Sequence, residues 1–306
     1  DRGLVGSEMC IRDRCGDDPD PDPNSWDGHG TAVAGVAAGT GNNSIGVTGA
    51  AFGANIAGHR LIACGFTDST AADALSYDNG DIDIYSNSWG PTDDGSSLEG
   101  PGPITIAAIE DSIYNGRSGL GNIYTWAAGN GLEANDNSNY DGYASLRYAI
   151  AVSAITHYGD QSWYSEPGAN ILVTAHSNGG TPDYEGITTT DITGTGGYSG
   201  GDVNHDFGGT SSATPLVSGV IALILESNPD LTWRDVQNIL VHSSRKNDVN
   251  DSSWTVNGGG LNVSHKYGFG AVDAGAAVSL AENWTSSGEE TNATFGPFTE
   301  LSLIHI

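Results

Sequence analysis

The chain has 306 residues, with 10 Lys plus Arg against 38 Asp plus Glu, for a formal net charge of −28. So acidic a balance excludes nucleic acid as a partner and suits cationic ligands, calcium or a saline habitat. Its 45 glycines are scattered rather than periodic, which points to many tight loops and excludes a collagen-like repeat.

Both ends are set aside first. The codons of residues 4–14 and of residues 301–306 can be inverted copies of one DNA stretch, as in translated sequencing adapter. Residues 1–14 and 301–306 are therefore expected to be non-native. The body between them reads as a fragment open at both ends. Cys10 falls in the adapter-like segment, leaving Cys15 and Cys64, which make no disulfide framework and leave the redox compartment open. No apolar run approaches the ~18 residues of a membrane span.

In chain order, residues 15–28 are rich in Asp and Pro and predict a loop. His29 opens HGTAVAGVAAG, small and apolar at helical spacing, a close-packed buried helix. Residues 42–47 predict a loop, residues 55–62 a strand, and Asp68 the cap of a helix through Leu75. A short strand at 82–86 leads into Asn87-Ser88-Trp89-Gly90. Residues 103–115 predict an amphipathic helix, followed by a strand at 122–127 and the turn Gly129-Asn130-Gly131. Residues 148–154 and 171–174 are further apolar strands. Thr232 caps a helix to His242, and Asp273 caps another reaching Asn283. Residues 285–300 are polar and turn-rich, a linker or the start of another domain, so the main domain is expected at 15–284. Strands alternating with helices predict an α/β fold, a parallel sheet covered on both faces.

The chain is organised around residues 208–225. A Gly-Gly turn precedes Ser211, and apolar residues follow it at helical spacing from Ala213 to Ile224. Pro215 falls in the first turn, where its missing N–H is not needed. Ser211 therefore stands at a helix N-terminus, where free N–H groups and the helix dipole favour negative charge. That is the setting acyl transfer needs: a hydroxyl that attacks, beside donors for the oxyanion. Alone it would be an ordinary N-cap serine. His29 at a helix start offers an imidazole on a rigid element, the requirement for a general base. Asn130, in a turn after an apolar strand, places an amide at the carboxyl edge of a sheet.

The run Gly209-Thr210-Ser211 through Pro215, with His29 and Asn130 before it in that order, resembles the subtilisin-like serine proteases. SNSWGPTDDG (86–95), WAAGNG (126–131), LTWRD (231–235) and HKYGFGAVDAGA (265–276) are similar to the kexin/furin branch, the proprotein convertases. The resemblance implies a three-layer α/β/α fold, a Ser-His-Asp endopeptidase cutting protein substrates after Arg or Lys, and the secretory pathway or cell envelope. Ser211 would be the nucleophile, His29 the base and Asn130 the oxyanion donor. Ser88, Trp89 and Gly90 would pair with substrate backbone, and Asp93 and Asp141 would face the basic P1 side chain. Glu99 and Tyr143 match a further basic subsite. Asp93, Asp136 and Glu166 match one calcium site; Asn43 with the carbonyls of Thr40, Ile45 and Val47 matches a second.

The family's catalytic Asp ends a strand well upstream of the His. Asp17, Asp18, Asp20, Asp22 and Asp27 sit in a loop with no strand before them within residues 15–28, so the acid is expected to be missing from this fragment, the domain to lack its N-terminal strand, and this chain to be inactive. Three other readings compete. Gly197-Tyr198-Ser199-Gly200-Gly201 fits the esterase elbow G-x-S-x-G, but no helix follows it. A subtilisin of broad specificity would not need Asp93 and Asp141. A non-catalytic acidic calcium-binding domain would not need His29, Asn130 and Ser211.

Overall fold

The computed structural model describes residues 11–13 (backbone only), 23–63, 65–179 and 185–286. Cys10, Cys15, Cys64, Asp17, Asp18, Asp20, Asp22, the linker residues 287–300 and residues 301–306 lie outside the described residues.

After a three-residue strand β1 (Ile11–Asp13) come helix α1 (His29–Ala38), strand β2 (Gly58–Arg60) and helix α2 (Asp68–Leu75). Strand β3 (Ile84–Asn87), helix α3 (Pro103–Asn115) and strands β4 (Ile123–Ala127), β5 (Ala149–Ile155) and β6 (Ile171–His176) follow. Strands β7 (Ile187–Thr190) and β8 (Val203–Phe207) form an antiparallel hairpin before helix α4 (Thr210–Ser227). Helix α5 (Trp233–Ser243), the two-residue strands β9 (Thr255–Val256) and β10 (Asn262–Val263), and helix α6 (Ala274–Ala281) complete the order.

Strands β3, β4, β5 and β6 make one parallel four-stranded sheet in that order, and β1 pairs in parallel with β2. Strand β4 is buried along its whole length and β5 nearly so, as in a sheet with helices on both faces. The result is the expected three-layer α/β/α fold. Helix α4 crosses all four strands, packing Val217, Val220, Ile221 and Ile224 into the main core. It is 18 residues long and, contrary to the sequence reading, apolar enough by length and composition to cross a membrane; 67% of it is buried inside the fold.

Local signals set most helix ends. Thr232 accepts a hydrogen bond from Asp235 N–H at 3.2 Å and Asp235 answers from Thr232 N–H at 3.0 Å, a reciprocal capping box. Asp273 caps α6 as expected, accepting from Ala276 N–H at 2.9 Å. Asp68 does not cap α2. Thr67 does, with Thr70, while the Asp68 carboxylate caps α3 through the N–H groups of Ile104 (3.0 Å) and Thr105 (2.9 Å). The expected strand at 55–62 shortens to β2. The range set aside as non-native contributes β1, whose Asp13 is in register with Arg60.

Small residues bring α1 against α4. A Cβ on Gly219 would lie 2.6 Å from Ala50 Cβ and 2.8 Å from the Ala37 carbonyl. Neither neighbour has a flexible end that could give way. Gly219→Val should therefore destabilise the fold by roughly 1–3 kcal/mol in urea unfolding, as overpacking does. An unchanged midpoint would mean that the two helices do not meet there.

Candidate active site

All four strands of the main sheet run the same way, so their carboxyl ends share one edge. Asn87-Ser88-Trp89 leaves that edge from β3, Gly129-Asn130 from β4, and Ser177-Asn178 from β6. The Gly208-Gly209 turn and the first turn of α4 meet all three. Asn178 Oδ1 accepts from Gly209 N–H at 3.2 Å, and Ser177 Oγ donates to the Gly209 carbonyl at 2.8 Å. Gly208 packs flat on the Asn178 amide, with 2.2 Å left for a Cβ, and Gly209 has φ 78°, so both positions require glycine.

Asn130 fixes the register between sheet and helix. Its Oδ1 accepts from Thr210 N–H at 2.8 Å and from Thr210 Oγ1 at 3.0 Å. With the oxygen so engaged, the NH₂ is what Asn130 offers a ligand. Ser211 follows in the first turn of α4, and its Oγ donates to the Ser88 carbonyl at 3.4 Å while Ser88 Oγ donates to the Ser211 carbonyl at 3.0 Å. Among the described residues His29 makes no hydrogen bond to Ser211; its half-buried ring meets Phe207 edge-on, centroids 5.5 Å apart. Catalytic hydrogen bonds of this kind often form only once substrate is bound. Burial pushes the His29 imidazole below its ordinary range, partly offset by the Asp27 carboxylate. A neutral ring can accept a proton. Asp27 in turn lies 3.7 Å from Arg60.

Ser211 and Asn130 border a cavity of about 250 Å³ whose walls include Ser88, Trp89, Gly90, Asp93 and Asp141. Trp126 Nε1 donates to the Trp89 carbonyl at 2.7 Å, which holds the backbone of the Ser88–Gly90 segment. Asp141 Oδ1 accepts from Tyr143 N–H at 2.7 Å, and burial pushes its carboxyl up to about 6. Gly90 faces it: a Cβ there would lie 2.9 Å from Asp141 Oδ2. Two of the expected subsite residues stand elsewhere. Tyr143 is buried behind the wall, stacked on Trp126 with centroids 5.0 Å apart, because three aromatics (Trp89, Trp126, Tyr143) pack as one unit. Glu99 is exposed beside Leu98 and Tyr140 in a neighbouring groove.

Asp93, Asp136 and Glu166 offer oxygens that all lie within 4.8 Å of one another. Glu166 and Asp136 are buried, and Glu166 Oε1 accepts from Gly131 N–H at 2.8 Å. Burial, then the Asp93, Asp136 and Asp141 charges, raise Glu166 to about 8, and burial raises Asp93. Among the described residues no other group of three His, Cys, Asp or Glu side chains gathers so closely. Hard oxygen donors from three loops, with their charge uncompensated, fit calcium. In the 40–47 loop Asn42, Ser44 and Gly46 have φ near 60°, and Asn43 Oδ1 accepts from Ile45 N–H at 3.0 Å. Among the described residues that loop gathers no cluster of carboxylates.

The sequence reading missed Phe207, Asp191 and Asn178. Asn178 follows a strand at the same edge as Asn130, a placement that would have found it. The Gly197–Gly201 run lies in the β7–β8 connection and leads into a strand, so it is no elbow.

The chain matches the subtilase family over residues 7–270. It is 39% identical to bovine furin over 299 residues, covering 96% of this chain and 36% of furin. It is 42% identical to rat proprotein convertase subtilisin/kexin type 5 over 275 residues, covering 89% of this chain and 15% of that protein. The crystal structure of the serine protease of Aeromonas sobria aligns with a TM-score of 0.80 at 27% identity, covering 90% of this chain and 56% of that one. The chain thus spans little more than a third of the length of bovine furin and less of the rat convertase. A serine at a buried helix start, an asparagine amide beside it and a family match over most of the length agree: the chain belongs to the subtilase family, in its kexin/furin branch.

Proposed function

We propose that this chain is the catalytic domain of a calcium-dependent serine endopeptidase that cuts proteins after Arg or Lys, acting in the secretory pathway or cell envelope as a furin-like enzyme. One observation carries the reading: Ser211 and two acidic side chains, Asp93 and Asp141, line the same cavity. Ser211 Oγ attacks the scissile carbonyl while His29 takes its proton, and His29 later gives that proton to the leaving amine. The developing oxyanion is held by the Asn130 amide and the Ser211 N–H at the positive end of α4. A substrate strand along Ser88–Gly90 would pair through its backbone and deliver the P1 side chain to the acidic wall.

A guanidinium between Asp93 and Asp141 gains charge-assisted hydrogen bonds, whereas an apolar P1 leaves both carboxyls unpaired. Calcium, bound by Asp93, Asp136 and Glu166, supplies fixed positive charge that keeps this wall ionised and in place. Glu99 extends the acidic character toward residues upstream of P1. Thr40, Asn43, Ile45 and Val47 would hold a second calcium through oxygens.

In the full-length enzyme, Asp141→Asn should lower kcat/KM for an Arg substrate far more than for the matching Leu substrate. Equal losses, or a wild-type preference for Leu, would leave a subtilisin of broad specificity. Asn130→Ala should lower kcat by about 10²–10³-fold with little change in KM, the range established for an oxyanion asparagine in subtilisin. A raised KM with unchanged kcat would remove Asn130 from the oxyanion role.

The cluster also predicts a pH dependence. A carboxyl whose folded pKa lies above its unfolded value stabilises the fold below the unfolded value and loses that contribution as pH rises through the folded one. For Glu166 the window runs from about 4.5 to about 8. In chelator, Tm should fall across that window; calcium should restore it most at the upper end. Glu166→Gln should flatten the decline and remove most of the calcium response. A calcium response undiminished in Glu166→Gln would mean that the ion binds elsewhere.

A further inference from the structure

The β7–β8 hairpin carries a buried carboxylate that the proposed reaction does not use. Asp191 is only 4% exposed and is the first residue after β7. Its Oδ1 accepts from Ile192 N–H at 2.9 Å and Tyr198 N–H at 3.1 Å; its Oδ2 accepts from Tyr198 N–H at 3.0 Å and Ser199 N–H at 2.7 Å. Three backbone donors from both ends of one glycine-rich loop thus converge on one carboxylate. Neutral residues could not organise the loop this way, because only a carboxylate presents two oxygens and no proton.

The loop so folded lies on the residues that precede His29. Gly197 N–H donates to the Ser25 carbonyl at 2.9 Å. A Cβ on Gly28 would lie 3.2 Å from Asp191 Oδ1, 3.2 Å from Gly197 Cα and 3.5 Å from Tyr198 Cδ2. The strand beneath is tied to α1 as well, Thr189 Oγ1 donating to the Ala32 carbonyl at 2.6 Å and Thr190 Oγ1 to the Thr31 carbonyl at 2.7 Å. On the far side of the ring stands Phe207, from β8 of the same hairpin, with Tyr198 tilted against it at 6.1 Å. The hairpin thus meets the imidazole through Phe207 and clamps, through Gly197, the segment that leads into it.

We propose that Asp191 is a positioning residue for His29, fixing the ring by folding the 192–199 loop onto Gly28. The proposal rests on His29 as the general base. Most of the 192–199 loop is exposed, so loss of the carboxylate is expected to loosen the loop rather than the core.

The test is an NMR titration of the histidine rings in the full chain, comparing wild type with Asp191→Asn and Gly197→Ala. The second variant aims a methyl at the same carboxylate oxygen, 2.0 Å from Asp191 Oδ1, and decides the matter should Asp191→Asn not fold. The charges around His29 are Asp27, Arg60 from β2, and Asp191 and the Tyr198 hydroxyl from the hairpin; each variant leaves Asp27, Arg60 and Tyr198 in the chain. The wild-type His29 midpoint should lie below 6.5. Loosening the loop lets water reach the ring, so Gly197→Ala, which keeps the Asp191 charge, should move the midpoint upward by about 0.5 or more; in Asp191→Asn the lost negative charge opposes that rise. In the full-length enzyme the rate of Ser211 phosphonylation should also fall about 10–100-fold. An unmoved His29 midpoint in folded Gly197→Ala would overturn the proposal, whatever the reactivity of Ser211. A full-length wild type whose Ser211 is inert to phosphonylation would count against the protease reading alone, and the titration would still decide the role of Asp191.

Discussion

The site depends on the contact between the Asn130 side chain and the first residue of α4. Strand β4 ends at the carboxyl edge of a buried sheet, and α4 begins there with N–H groups that have no partner within the helix. Asn130 Oδ1 takes both the N–H and the hydroxyl of Thr210, at 2.8 and 3.0 Å. One amide therefore sets how the sheet edge and the helix start face each other, and it leaves its NH₂ for a third party. Ser211 is the next residue, so the proposed nucleophile and oxyanion donor would be placed by the same bond. Everything that deepens the fit between α4 and the sheet, from Ile221 and Ile224 in the core to Gly219 against Ala50, serves to keep that contact in place.

Electrostatics works against the fold at this edge. Asp93, Asp136 with Asp141, and Glu166 come from the three connections after β3, β4 and β5, and the carboxyls of Asp93, Asp141 and Glu166 are held above their ordinary range chiefly by burial. Backbone N–H groups from Gly95, Asn130, Gly131 and Tyr143 offset part of the cost. What remains is a demand for positive charge from two directions, an ion on one side and a substrate side chain on the other. Asp93 lies in both the carboxylate cluster and the cavity wall, so the proposed ion site and the proposed site for a basic side chain would share a single carboxylate.

Much of this was legible in the sequence where the signal is local. The Thr232 capping box, the Asp273 cap and the apolar runs of β4 and β5 announce themselves within a few residues. His29 at a helix start, Asn130 in a glycine turn and Ser211 after Gly208-Gly209 do so as well. What sequence reasoning missed depends on partners far along the chain. Asp68 looks like the cap of α2 but serves α3, 36 residues on, because Thr67 already holds the nearer position. Strands β7 and β8 carry Thr, Asn, His and Asp on half-exposed faces, so neither alternation nor an apolar run reveals them.

The central claim joins a nucleophile and an acidic wall in one cavity, and a crystal structure of the full-length enzyme after reaction with a peptidyl-arginine chloromethyl ketone tests it most directly. The account predicts covalent bonds to Ser211 Oγ and His29, the inhibitor's oxygen on the Asn130 amide, and the guanidinium between Asp93 and Asp141. An adduct on any other residue, or a guanidinium turned away from both carboxylates, would contradict it.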